Sequence, residues 1–339
     1  MKNSISIIVP CYNEEGNIVL LHRELKNALA KIKLDWHEII FVDDGSTDAT
    51  LARCEEVQAE DASVKIVRLV KNAGHEVAMV AGMDFATGDA LVYLDADLQN
   101  PPACIVDMVR QWRSGKDIVL MRRSDNPSAS KIYRFCARIF YGILNFLSDV
   151  KIPAETPDFR LIDRKYADFL KQFDERDFMF RGMLSLVSSL EDSNVSVLYY
   201  HHPARHSGET KYNIAKSIKL AINSIIQFST RPLILALWLA ILAGMAAVGL
   251  ALWVVVEKIM AVRSFPAGYA TIVAAVVFMG ALNLFILAII GAYIGKIHIE
   301  IKKRPLYFAD FIKRDGNGVG QPSDRSSLRA RRRKMVGDS

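Results

Sequence analysis

Two long apolar runs constrain this chain more than any other feature. Pro232 to Val256 and Ala267 to Ile294 carry no charged residue inside. Each is long enough to cross a hydrocarbon core of roughly 30 Å as a helix. Core helices of soluble proteins rarely run so far without polar interruption, so the pattern predicts two membrane-spanning helices, 232–256 and 267–295, with a short loop between them.

The flanking charges predict which way this hairpin points. Arg205, Lys211, Lys216, Lys219 and Arg231 precede the first run, and Lys296, Lys302, Lys303 and Arg304 follow the second. The intervening loop offers Lys258 and Arg263, offset in part by Glu257. Both chain ends are therefore expected on the cytoplasmic side. The net charge of +6 is mostly this bias plus the tail Arg329-Ala330-Arg331-Arg332-Arg333-Lys334. Beside two spans, the expected partner of such a tail is an anionic lipid surface and not nucleic acid. The four cysteines (Cys11, Cys54, Cys104, Cys136) form no CxxC pair. That argues against structural zinc and a disulfide framework and fits a reducing compartment. The apolar stretch Ile5 to Val9 is too short for a signal peptide, so the large N-terminal part is expected to stay cytoplasmic.

Over the first 125 or so residues the pattern alternates between strands and helices. Strands are expected at Ile5–Val9, Glu38–Val42, Val64–Leu69, Ala90–Leu94 and Asp117–Met121. Helices are expected at Asn17–Lys31, Asp48–Ala59, His75–Ala86 and Pro101–Ser114. This order predicts an α/β fold with a mostly parallel, Rossmann-like sheet covered on both faces. Polar clusters follow four of the strands: Tyr12-Asn13-Glu14, Asp43-Asp44-Gly45-Ser46, Asp95-Ala96-Asp97 and Arg122-Arg123. Ligands of open α/β sheets bind outside the carboxyl ends of the strands, so these clusters describe one site. The domain plan is a catalytic domain over 1–212, a juxtamembrane helix over 213–231, the two spans, a juxtamembrane segment over 296–314 and a disordered basic tail over 315–339. Within the first domain, residues 130–148 are apolar at helical spacing, with Lys131, Arg134 and Arg138 as basic members. That segment suits a membrane interface or an ordinary core-facing helix equally well.

Asp95 and Asp97 stand two residues apart just past a buried strand, where they can face a divalent cation completed by diphosphate oxygens. Mg²⁺ and Mn²⁺ favour such oxygen ligands. At the end of the second strand, one carboxylate of Asp43 and Asp44 can accept from a ribose hydroxyl or a base N–H, while its neighbours cap and turn the chain. Neither GxGxxG nor GxxxxGK[ST] occurs, which disfavours a nicotinamide enzyme or an ATPase. Diphosphate recognition then falls to metal and arginine. Arg123 and Arg205 are the candidates, with Lys211 adding a point charge.

The runs Ser6 to Glu15, Val42 to Asp48 and Asp95 to Pro102 together resemble the GT-A glycosyltransferases of family 2. With Pro157-Asp158-Phe159-Arg160-Leu161, the segment Arg205 to Tyr212 and two C-terminal spans, the chain looks like the polyprenyl-phosphate glycosyltransferases of that family. The resemblance implies that Pro10, Tyr12, Glu14, Val42 and Asp44 hold the nucleoside, with Ala96 at the nucleotide sugar. It implies Asp95 and Asp97, helped by Gln99, at the metal (Mg²⁺ or Mn²⁺) and the donor diphosphate. Arg123, Arg205 and Lys211, with Lys131 and Arg134, would bind phosphates of donor or acceptor, and Asp158 is the implied base. A lipid monophosphate is already mostly ionised near neutral pH, its second pKa being about 6, so Asp158 has less need to take a proton than to orient groups around the acceptor.

The implied reaction is inverting transfer of a hexose from a nucleotide sugar to a polyprenyl phosphate such as undecaprenyl phosphate, for modification of cell-envelope glycans. UDP-glucose is the favoured donor, with UDP-N-acetylglucosamine, UDP-galactose, a UDP-uronic acid and GDP-mannose open. The implied setting is a multi-pass protein of the bacterial inner membrane, assembled as a homotetramer. Two rivals are weaker. A processive polysaccharide synthase would carry a QxxRW motif, which is absent, and a non-catalytic scaffold would not need Asp95, Asp97, Arg123 and Arg205 intact.

Overall fold

A computed structural model describes residues 3–123, 158–172, 194–200, 231–259, 268–302, 304–312 and 323–324 of the 339-residue chain. The expected interfacial helix with Lys131 and Arg134, and the residues Arg205 and Lys211, lie outside the described residues.

The described residues of the N-terminal unit, together with those beyond 303, build one sheet. Its strands are β1 (Ser4–Cys11), β2 (Trp36–Asp43), β3 (Val64–Leu69), β4 (Ala90–Tyr93), β5 (Ile118–Arg123), β6 (Arg160–Asp163), β7 (Val195–Tyr200), β8 (Phe308–Ile312) and β9 (Ser323–Asp324). Its helices are α1 (Ile18–Leu29), α2 (Thr50–Glu60), α3 (His75–Phe85), α4 (Cys104–Arg113) and α5 (Arg164–Leu170). The spatial order is β7-β5-β6-β4-β1-β2-β3-β8-β9.

The centre, β4-β1-β2-β3, is parallel, as the alternating pattern predicts. Strands buried on both faces read as continuous apolar runs, and Ile5, Ile7, Ile8 and Val9 are fully buried. Ile5, Ile7 and Val9 pack with Leu21 and Leu25 of α1, Val57 of α2 and Met108 of α4. On the opposite face α3 comes in so close that a Cβ on Gly82 would stand 2.3 Å from Ile8 Cγ2. The sheet is also cross-tied by a buried carboxylate. Glu38 accepts from Ser6 Oγ at 2.6 Å and from the Thr87 N–H at 2.7 Å, and it pairs with Lys65. Burial works against its charge, but these partners outweigh it and lower the pKa.

Two departures from the expected pattern matter. First, β6 enters antiparallel between β4 and β5, pairing Tyr93 with Arg160 and Leu120 with Arg160. Strand β5 therefore keeps the direction of β4 without touching it. Second, residues 304–312, expected as part of a juxtamembrane segment, supply β8, which pairs antiparallel with β3. Ser323–Asp324, expected in a disordered tail, pairs with β8 as β9. Strand β8 is set by distant partners, β3 on one side and β9 on the other, and no local period separates it from the basic residues before it.

The second unit, taken by itself, contains α6 (Arg231–Ile259) and α7 (Tyr269–Ile301) among its described residues. Both carry large apolar side chains outward, including Leu237, Trp238, Leu252 and Trp253 on α6 and Val276, Phe278, Leu284 and Leu287 on α7. Outward apolar faces on helices of 29 and 33 residues have no place in water. Among the described residues one stretch, Phe278–Ile301, suffices by length and composition to cross a membrane, and a shorter apolar run, Ala236–Ala246, lies within α6. Helix α7 begins later and ends later than the 267–295 expected.

Tyr307, just before β8, is buried and donates its hydroxyl to Asp84 of α3 at 2.9 Å. A hydrogen bond to a carboxylate contributes about 1.5 kcal/mol or more. Tyr307→Phe should therefore lower the thermal midpoint of the full-length protein by about 3–6 °C. An unchanged melting curve would mean that β8 is not anchored through this contact.

Candidate active site

The first loop of the site is laced to the second. Asn13 adopts φ 57°, a left-handed conformation that asparagine tolerates. Its Oδ1 accepts from the Thr47 N–H at 2.9 Å, and its own N–H donates to Ser46 Oγ at 3.0 Å. Asp43 Oδ1 accepts from the Ser46 N–H at 3.1 Å, which closes the turn after β2. Gly45, at φ 68°, lies so near the 71–72 backbone that a Cβ would stand 2.7 Å from Asn72 N. Only glycine fits there.

Asp44 turns to the backbone at 73–74. Its two oxygens accept from the Ala73 and Gly74 N–H groups at 2.7 and 2.9 Å, so β2 fixes the loop that opens α3. Burial raises the Asp44 pKa, and these two bonds only partly offset it. The turn at Gly74, φ 99°, then starts α3 with His75.

His75 Nε2 stands 3.4 Å from Asp95 Oδ1 and 3.5 Å from Asp158 Oδ2. Burial opposes its charged form, yet Asp158 and Asp95 prevail and raise its pKa. Asp95 is shifted upward by burial and by the neighbouring Asp158 and Asp97, against His75 and Asn100. Asp158 is buried and ion-paired to Arg160, whose Nε also donates to the Asp158 carbonyl at 3.1 Å. Because β6 runs antiparallel, its first residues lie at the carboxyl ends of β4 and β5, and that brings Asp158 to the same edge as Asp95.

Between Asp97 and Gln99 the backbone is strained: Leu98 has φ 60°, unusual for a branched side chain. The turn lets the Gln99 N–H donate to Asp97 Oδ1 at 3.0 Å. Pro10, Tyr12, Glu14, Asp44, His75, Asp95, Ala96 and Asp97 line one cleft of about 340 Å³.

Seven of the residues implied at the nucleotide sugar and metal thus come together: Pro10, Tyr12, Glu14, Asp44, Asp95, Ala96 and Asp97. Val42 does not. It is fully buried beneath α3, because strand alternation turns it into the core, away from the cleft. Gln99 is buried and not part of the cleft lining, and its bond to Asp97 comes from the backbone. Arg123 is exposed at the end of β5 and donates through Nε to Tyr200 OH at 3.4 Å. Asn100 and Tyr200 were not anticipated as part of the site. Asn100 lies within the Asp95 to Pro102 run, but nothing in the sequence marks Tyr200.

No group of three or more His, Cys, Asp or Glu able to enclose a metal occurs among the described residues. Asp95 and Asp97 nonetheless offer two carboxylates on one cleft, an all-oxygen donor set that fits a divalent cation whose other ligands are phosphate oxygens.

Fold and site together define an α/β enzyme with an acidic ligand cleft at the carboxyl edge of its sheet. The profile of "Glycosyl transferase family 2" matches residues 6–170. The chain is 36% identical to an uncharacterized glycosyltransferase of Synechocystis over 307 residues, 91% of this chain and 95% of that one. It is 33% identical to a prophage bactoprenol glucosyl transferase homolog of Escherichia coli over 313 residues, 91% and 99% of the two chains. A solved structure of Mycobacterium tuberculosis glucosyl-3-phosphoglycerate synthase, in complex with Mn²⁺, UDP and glucosyl-3-phosphoglycerate, matches 66% of this chain and 78% of its own at 16% identity, with a TM-score of 0.46. The chain belongs to glycosyltransferase family 2 and is a glycosyltransferase.

Asp44→Asn exchanges one acceptor oxygen for an amide that faces a backbone N–H, and charged acceptors contribute about 1.5–3 kcal/mol each. The variant should melt several degrees lower in a thermal denaturation scan. Native melting would show that the 72–74 loop does not depend on this carboxylate.

Proposed function

We propose that this protein transfers a hexose, glucose in the first instance, from a uridine-diphosphate sugar to a polyprenyl phosphate at the cytoplasmic face of the bacterial inner membrane. The observation that carries the reading is the cleft itself, where Asp95 and Asp97 adjoin Asp44 and Tyr12 on one side and, through His75, Asp158 on the other. The E. coli relative named for bactoprenol glucosyl transfer aligns over almost its whole length, which supports a lipid-phosphate acceptor.

In this reading Tyr12, half exposed at the cleft, offers its ring to the base, and Glu14 and the Asp44 loop frame the nucleoside. Asp95 and Asp97 would hold a Mg²⁺ or Mn²⁺ ion, which when bound would supply positive charge against the departing nucleoside diphosphate. The acceptor phosphate oxygen forms its bond to the anomeric carbon as the bond to the diphosphate oxygen breaks, and a single displacement inverts that carbon. The phosphate is already ionised, so no proton has to be removed from the nucleophile. Asp158, engaged by Arg160 and His75, serves as a positioning group in preference to a base. Arg123, with Arg205, Lys211, Lys131 and Arg134, supplies the cationic contacts to donor and acceptor phosphates. The same reading includes the homotetramer implied by the family resemblance.

The membrane part of the reading rests on chain topology. Strand β7 precedes α6 and α7 in sequence and β8 follows them, yet both strands belong to one sheet. A chain that leaves a sheet and returns to it crosses a bilayer an even number of times or not at all. Two spans meet that condition, and the outward apolar faces of α6 and α7 ask for them.

Two measurements test these statements. Asp97→Asn replaces an anionic oxygen by an amide. It should abolish sugar transfer to undecaprenyl phosphate from a panel of nucleotide sugars while leaving the melting curve intact, and near-normal turnover with Mg²⁺ or Mn²⁺ would remove the metal from the mechanism. Accessibility reporters at Ser264 and after residue 314 should lie on opposite sides of the membrane, the latter cytoplasmic. Reporters on one side would refute the hairpin.

A further inference from the structure

Asp95 is held from behind by Asn100 and Tyr200, which the transfer mechanism above does not use, and through them it is linked to Arg123. Asn100 Nδ2 donates to Asp95 Oδ2 at 3.0 Å. Asn100 Oδ1 accepts from the Tyr200 hydroxyl at 2.9 Å, and that hydroxyl accepts from Arg123 Nε at 3.4 Å. Asn100 is fully buried and Tyr200 nearly so. The Tyr200 ring packs edge-on against Phe159, centroids 5.8 Å apart, beside Asp158.

The polarity of this chain is fixed by its ends. A guanidinium can only donate and a carboxylate can only accept. The tyrosine hydroxyl has one proton, and it is directed to Asn100, so the asparagine amide must turn its NH₂ toward Asp95. Every member has one permitted orientation. The far oxygen of Asp95 is occupied, and the near one faces His75 at 3.4 Å. Such an arrangement removes the rotational freedom of a carboxylate more effectively than packing does, because the alternative leaves a buried amide and a buried hydroxyl unpaired.

We infer that Asn100 and Tyr200 are positioning residues that orient Asp95 toward a divalent cation and link it to Arg123. This rests on the reading of Asp95 and Asp97 as cation ligands. Partners that orient a ligating side chain are commonly worth about 10- to 100-fold in metal affinity. Strands β5 and β7 thereby act on the cation site through the register that sets Arg123 beside Tyr200.

The test uses full-length protein in detergent, with Mn²⁺ as the probe, followed by the loss of its free-ion electron paramagnetic resonance signal in the presence of UDP. Tyr200→Phe and Asn100→Ala should each weaken Mn²⁺ binding about tenfold. UDP binding measured in EDTA should stay the same, as should the Mn²⁺ affinity of Ser196→Ala, which alters β7 away from the chain of bonds. A purely structural role would lower the melting temperature without moving the Mn²⁺ constant. Wild-type affinity for Mn²⁺ in both folded variants would overturn the inference while leaving the cation reading intact. Should Tyr200→Phe fail to fold, Asn100→Ala decides in the same way. Absence of Mn²⁺ binding by the wild-type protein would overturn the cation reading itself, and this inference with it.

Discussion

Four carboxylates crowd one edge of this sheet, and each has to be reconciled with its loss of water. Asp44 is met by two backbone N–H groups, Asp158 by Arg160, and Asp95 by Asn100 and His75, while Asp97 receives the Gln99 N–H. A buried charge without such partners is expelled or neutralised. The strain at Leu98 and the glycine at position 45 are consequences, since both let the backbone bring N–H groups to the acids. For Asp95 the compensation is incomplete, because burial and its acidic neighbours still raise its pKa. Under the function proposed above, a cation arriving together with phosphate oxygens would relieve that condition.

The site depends on β6 running against its neighbours. In a wholly parallel sheet a residue preceding a strand lies at the amino edge, remote from the ligand. Reversing one strand moves its entry to the carboxyl edge and lets Asp158, which precedes it, approach His75. The same reversal keeps β5 aligned with β4, so Arg123 ends at the edge where Asp95 begins its turn. One inverted strand thus contributes an acid and preserves the position of a cation.

Much of this was legible from local pattern. The spacing of Ile18, Leu21, Leu25 and Leu29 predicts α1, and all four are buried. The polar clusters after β1, β2 and β4 predict the cleft, and seven of the implied residues line it. What escaped depends on partners far away in sequence. No local pattern brings His75 to Asp95 and Asp158; the turn at Gly74 does. Tyr200 is one more residue of an apolar strand until its hydroxyl reaches Asn100, one hundred positions earlier. Val42 was misplaced for a related reason. Membership of a motif says nothing about which face of a strand a side chain takes, and alternation sends this one under Gly82.

The return of the chain after α7 has a mechanical consequence. Strand β8 closes the outer side of β3, and β3 leads directly into the loop that Asp44 holds. The Val70 N–H donates to the Phe308 carbonyl at 3.0 Å, which extends the pairing one residue toward that loop. Residues that follow the apolar helices therefore help define the 70–74 loop beside the cleft. A version of this enzyme cut before α6 would keep Asp95, Asp97 and Asp158 but would leave β3 as an open edge with unpaired N–H and C=O groups, the condition that invites aggregation. The apolar helices and the catalytic sheet are thus interdependent through the chain itself, because the strand that completes the sheet is made only after α6 and α7 have been.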